Sequence, residues 1–198
     1  MDQFYWDDGL RDTQIAYNLS MGKKPRLVRL RNKIIREYLC DRWQEVCFFP
    51  QYPEIPKVKG FLGTSPVFFV SINPSFRAYP SKQDLFYYRN LVKQGFGNAH
   101  LTDVFKLKCK NDDTKSLMQD KKLLREMETI LEKEIAIVHP KLIVGVGASY
   151  AKIYSRVFGK YKVPLEIIPH YAPQFNNFKK QKIFRAKLRD IRKKHPKL

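Results

Sequence analysis

The chain is short of cysteine, glycine, acidic residues and long apolar runs, and each shortage excludes something. Its three cysteines, Cys40, Cys47 and Cys109, are odd in number and form no Cys-x-x-Cys pair. A disulfide scaffold or a four-cysteine metal site is therefore not expected, and the thiols read as small buried hydrophobes. The nine glycines include no Gly-Lys-Ser/Thr phosphate loop. Gly145-Val-Gly147 invites a dinucleotide reading, but the third glycine position holds Tyr150. Close packing of a helix on a strand explains that pair as well, so no nucleotide cofactor is expected. No apolar run approaches the roughly 18–20 residues that span a bilayer, so no membrane contact is expected. The acidic, aromatic first ten residues lack the basic-then-apolar order of a secretory signal. The expected location is cytoplasmic (nucleoid-associated) or nuclear, not secreted.

Acidic residues are the most telling shortage: 19 Asp plus Glu face 38 Lys plus Arg, a formal charge of +19 on 198 residues. Such a surface attracts polyanions at long range, and nucleic acid is the abundant one inside cells. A merely lysine-rich or ribosome-like surface, or an acidic membrane face, would also account for it. Hydrophobic residues make up 43%, enough to build a packed core and to exclude disorder throughout.

Residues 1–60 read as a basic N-terminal extension. Between Gly22 and Arg42, eight basic residues interleave with Leu27, Leu30, Ile34, Ile35 and Leu39, which predicts an amphipathic helix with a basic outer face. Pro50, Pro53 and Pro56 then break the chain into a connector. Residues 61–198 read as an α/β domain ending in a basic helix. Apolar runs at Pro66–Ile72, Ala99–Leu107, Lys141–Gly147 and Leu165–His170 predict four strands. Helices are expected over Asp84–Lys93, over Lys121–Val138 with Pro140 as a stop signal, and after Ser149 as a cap. Asn111-Asp112-Asp113 reads as a turn, and the ten Lys or Arg from Lys179 onward as a final basic helix. Strands alternating with helices imply a three-layer sandwich with a central four-stranded parallel sheet.

In such sheets ligands bind beyond the carboxyl ends of the strands. The Ser71-Ile-Asn-Pro-Ser75 turn and His170 both fall there, which makes them candidates for a site rather than for chain reversal alone. His100, His139 and His195 show no partner in the sequence and read as structural.

The ordered set of strand–Ile-Asn-Pro-Ser, strand–Thr-Asp-Val-Phe-Lys, helix–His-Pro-Lys-Leu-Ile-Val-Gly-Val-Gly and strand–Pro-His-Tyr-Ala resembles the uracil-DNA glycosylase superfamily over about residues 60–190. The likeness is greatest to the mismatch-specific branch, whose turn reads Gly-Ile-Asn-Pro. The iron–sulfur branch is excluded by the cysteine count. The resemblance implies a monofunctional DNA glycosylase, a base-excision repair hydrolase that flips out uracil or another damaged or modified base and hydrolyses its bond to the sugar. Asn73 would hold the attacking water, and His170 would donate a hydrogen bond to the departing base. Ile72, Phe76 and Asp103 would contact the base, with Phe86 as second choice for stacking on it. Ser75, Ser149, Tyr171, Phe175, Lys179 and Lys180 would contact DNA, with Phe175 as a wedge. No metal or other cofactor is implied, the partner is duplex or single-stranded DNA, and the protein is expected to be a monomer. No lysine lies in either motif, so no Schiff-base lyase step is indicated.

Three positions depart from the family pattern. Ser71 replaces a glycine, which requires negative φ there. Tyr171-Ala172 replaces Pro-Ser, so the serine that would hold a phosphate is missing. Asp103 stands where many relatives carry an asparagine that pairs with uracil. An ionised aspartate would repel uracil's O4, whereas a protonated one would suit cytosine-like edges, and a carboxylate bonded to local backbone would read nothing. These departures keep a second reading open: a catalytically silent, glycosylase-like DNA- or RNA-binding protein. An RNA- or ribosome-associated factor using its basic arms is the third.

Overall fold

The computed structural model describes residues 21–75, 81–109, 113–172 and 176–198, apart from the side chains of Cys40, Trp43 and Asp113. Four strands, β1 (Val67–Ser71), β2 (His100–Asp103), β3 (Leu142–Val146) and β4 (Leu165–Ile168), form one parallel sheet in the order β2-β1-β3-β4. The helices are α1 (Lys23–Lys33), α2 (Lys82–Lys93), α3 (Asp113–Gln119), α4 (Lys121–Val138), α5 (Ala151–Phe158) and α6 (Phe178–Lys194). They cover both faces of the sheet, giving the expected three layers. Asn111 and Asp112 of the expected turn lie outside the described residues, and Asp113 already opens α3.

Alternation along β1 divides the core. Phe68 and Val70 pack with α1, α4 and α5, whereas Val67 and Phe69 pack with α2 and α6. Every residue of β1, β2 and β3 is buried, as expected of parallel strands covered on two faces. Residues from 27 to 58 enter both layers: Leu27, Leu30, Ile34 and Leu39 join one, and Phe49, Ile55 and Val58 join the other. The helix begun at Lys23 widens into a π-turn over Ile34–Tyr38 and then tightens into a 3-10 segment over Cys40–Glu45, so the expected continuous helix is interrupted.

Helix α4 matches its expected span. Asp120 caps its start by accepting from the Leu123 amide at 2.9 Å. His139 ends it in the left-handed conformation at φ 50°, ahead of Pro140. The Lys23 ammonium donates to the Val138 carbonyl at 2.7 Å, so part of the basic charge of α1 satisfies the end of α4. Ser149 departs from expectation: it lies in a 3-10 turn over Ala148–Tyr150 and its side chain caps nothing. Gly147 at φ 120° has already turned the chain, so helix α5 starts two residues after the serine. A Cβ on Gly145 would sit 2.4 Å from the Tyr154 ring, which gives this glycine the close-packing role. Among the described residues, no helix is long and apolar enough to cross a membrane.

Candidate active site

The sheet order reverses between β1 and β3, and the chain leaves those strands in opposite lateral directions. The carboxyl ends diverge there and leave a cleft of about 620 Å³. Ile72, Asn73, Ser75, Asp103, Ser149, His170 and Tyr171 all line it. Ser75 and Ser149 are exposed on its rim. Lys179 and Lys180 are exposed in the first turn of α6, just beyond Asn176, which lines the cleft. Phe76 and Phe175 lie outside the described residues. Phe86 is buried against Phe184 in the core, so the second-choice stacking role does not fall to it.

His170 is held as a neutral donor. Its Nδ1 accepts the Ala172 amide at 3.2 Å, leaving Nε2 to carry the proton. Burial lowers the imidazole pKa to about 4, against a smaller opposing effect of the Asp84 carboxylate. The ring stacks on Tyr171 at 4.5 Å, and Tyr171 stacks on Tyr87 at 4.4 Å with the rings almost parallel. The Tyr171 hydroxyl donates to Asp84 Oδ1 at 2.8 Å. Tyr171 is thus a strut that orients the histidine, and its hydroxyl is engaged inside the protein.

Asn73 is clamped. Its Nδ2 donates to the Pro74 carbonyl at 3.0 Å and to Cys109 Sγ at 3.1 Å, while its Oδ1 accepts from the Thr114 hydroxyl at 3.1 Å. Both amide hydrogens are engaged, so a water in the cleft meets the second lone pair of Oδ1. Cys109 is more than a buried hydrophobe, since it fixes this amide. Cys47 lines the cleft, and burial raises its thiol pKa, with the Asp103 charge acting the same way. The Cys40 thiol lies outside the described side chains.

Asp103 is 3% exposed, and its Oδ1 has no hydrogen-bond partner among the described residues. Burial raises its pKa to about 8; Lys106 opposes this, and Glu134 and Asp84 reinforce it. Burial therefore favours the neutral, protonated carboxyl group over the ionised acceptor. Ser71, its register partner on β1, is also buried with an unpartnered Oγ. It has no positive φ, so a serine stands there without backbone strain.

Behind Asp103 lies a buried charge network. Lys106 Nζ donates to Thr102 Oγ1 at 2.6 Å and to the Asp103 carbonyl, and pairs with Glu134 at 2.8 Å. His100 Nε2 meets the other Glu134 oxygen at 3.1 Å, so this histidine has the partner that the sequence did not disclose. Burial alone would raise the Glu134 pKa; Lys106 and His100 outweigh it and hold the carboxylate below its ordinary value.

Sequence reasoning missed Asp84, Thr114 and the cleft aromatic Phe48. Asp84 carried a signal: Ser81-Lys-Gln-Asp84 is a capping box, with Ser81 Oγ accepting the Asp84 amide and Asp84 Oδ2 accepting the Ser81 amide at 2.8 Å. Thr114 carried none, since only the tertiary fold brings α3 to the end of β1. No cluster of metal-ligating side chains occurs among the described residues. A scan against protein-family models and a search of the curated proteins both return no match.

Proposed function

We propose that the protein is a monofunctional DNA glycosylase that hydrolyses the bond between the sugar and a flipped-out uracil or other damaged or modified base. The observation that carries this reading is the meeting of Asn73, Asp103 and His170, from three separate strand ends, in one cleft. As the C1′–N bond breaks, its electron pair moves onto the base and positive charge spreads over the sugar. The His170 Nε2–H supplies a preorganised hydrogen bond to the base, and a neutral imidazole does so without losing its proton. Asn73 Oδ1 accepts a hydrogen bond from the water that adds to C1′. The amide cannot take the proton, so the step depends on leaving-group stabilisation. Lys106, engaged by Glu134, Thr102 and the Asp103 carbonyl, is not available as a Schiff-base nucleophile.

Lys179, Lys180 and Lys182 surround the N-terminus of α6, where the helix dipole is also positive and no acid occupies the first turn. That rim supports a phosphate backbone as partner. A specific observation favours the silent reading: Asn73 Oδ1, the atom that would hold the water, already accepts the Thr114 hydroxyl within the protein. The two readings separate on duplex and single-stranded oligonucleotides carrying uracil, mismatched thymine, hypoxanthine or cytosine derivatives, followed by alkaline cleavage of abasic sites. Base release that is lost in Asn73→Ala and His170→Ala supports the enzyme. Salt-sensitive binding without release of any base supports the silent protein, and release that survives both substitutions removes the site assignment.

A further inference from the structure

Ser71 and Asp103 end neighbouring strands and are partners in register. Both are 3% exposed, both line the cleft, and Ser71 Oγ and Asp103 Oδ1 have no hydrogen-bond partner among the described residues. A buried polar atom left unpaired costs about 1–3 kcal/mol. Two of them side by side on rigid strands facing one cleft form a polar pair whose cost a ligand's edge can recover.

We propose that the Ser71 hydroxyl and the Asp103 carboxyl form a two-point subsite for the amidine-type edge of a nucleobase, an amino group beside an unprotonated ring nitrogen, as in cytosine-type and adenine-type bases. The proposal rests on the glycosylase reading and names the base edge which that site takes. A protonated Asp103 donates its O–H to the ring nitrogen and accepts one amino hydrogen on its other oxygen; Ser71 Oγ accepts the second amino hydrogen. An imide edge, as in uracil, can meet the carboxyl group but has no amino hydrogen for Ser71 Oγ to accept. It lacks the basic ring nitrogen that can take the proton. During bond cleavage the electron pair of the C1′–N bond passes to the base, and the Asp103 proton moves onto the ring nitrogen, so the base leaves neutral. The water oxygen bonds to C1′, and the proton it releases restores the Asp103 carboxyl. One water is consumed, and no other reactant is needed.

The groups that act on Asp103 set the pH range. Lys106 from the loop after β2 favours its ionised form, and Glu134 of α4 and Asp84 of α2 oppose it. Cys47, Tyr87, Tyr154 and Tyr171 also feel its charge. Burial dominates, and the carboxyl group keeps its proton until about pH 8.

The test is an NMR titration of the full chain with N1-methylcytosine and N1-methyluracil at about pH 6 and about pH 9.5, on either side of the Asp103 titration. The expected result is a preference for methylcytosine of about tenfold or more at the lower pH, lost at the higher one. Asp103→Asn, whose amide can turn to pair with the imide edge as well, loses the preference at both pH values, and Ser71→Ala weakens methylcytosine binding. Equal affinity for the two probes, a preference unchanged at high pH in the native chain, or no binding of either probe overturns the subsite. Preferential binding with no base release from any oligonucleotide overturns the glycosylase reading and leaves the subsite standing. Release of uracil without the methylcytosine preference does the reverse.

Discussion

An imidazole whose Nδ1 already accepts a backbone amide has one proton to offer, on Nε2, and His170 is in that state. His170→Ala should lower the rate of base release by about 10²–10³, the usual cost of one preorganised donor. With its pKa lowered to about 4 by burial, the native histidine should add no titration step to the rate between about pH 5.5 and about pH 8. The same shift has a stability consequence. The unfolded chain binds the proton near pH 6.5 and the folded chain only near pH 4, so stability is fully present above about 6.5 and falls as pH drops from there towards 4. Melting temperatures measured across that window should show the loss in the native chain and less of it in His170→Gln. Asp103 carries the opposite sign. Its folded pKa of about 8 lies above the unfolded value, so its contribution is present below about pH 3.8 and is lost progressively up to pH 8. Asp103→Asn should therefore raise the melting temperature more at pH 8 than at pH 5. A gain equal at both pH values would show that Asp103 is ionised throughout.

At the scale of elements, a single buried triad holds the end of β2 against α4. Removing one partner of a buried ion pair leaves the other uncompensated, at about 3–5 kcal/mol. Glu134→Leu should destabilise by that order in a urea unfolding series, because Lys106 and His100 both lose their counter-charge. The cap of α2 is a smaller device: Ser81→Ala should cost about 1 kcal/mol. It should also raise the mobility of Tyr171, because Asp84 would lose the Ser81 hydroxyl that helps to hold its carboxylate in place. The elements themselves were legible in the sequence where independent signals agreed or an apolar run was unbroken. Helix α4 combines apolar spacing with a proline stop, and the four apolar runs all became strands of one parallel sheet. Within the site, Asn73 and His170 were legible because each sits at or just after the end of an apolar run, whereas Asp103, inside the run Ala99–Leu107, was singled out by the resemblance alone. Thr114, Cys109 and Asp84 were not, since their approach to the site depends on packing between segments far apart in sequence. The partner of His100 was hidden for the same reason: Glu134 lies 34 residues away, on a helix whose charged positions otherwise read as solvent-facing.

Across the whole molecule, the +19 charge is not one uniform device. Lys23 satisfies the carbonyl that ends α4, and Lys194 pairs with Glu166 at the far end of α6 from the cleft. The charge placed where it bears on the cleft is the first turns of α6, with Lys179 and Lys180 exposed, Phe178 69% exposed, and Lys182 lying 4.9 Å over its ring. Cations at a helix N-terminus oppose the macrodipole, at about 0.3–1 kcal/mol each. A protein optimised only for stability would carry acids there, so the arrangement has a cost that binding an anion reverses. The two effects predict opposite responses to one change. Lys179→Glu with Lys180→Glu should raise the melting temperature slightly, because acids suit that helix end. It should also weaken DNA binding at low salt, whatever base the DNA carries. The slope of log affinity against log salt should flatten by about 0.9 for each phosphate that the double variant leaves unneutralised. If DNA affinity and its salt slope are unchanged while the fold is stabilised, the α6 rim is not a phosphate-binding surface.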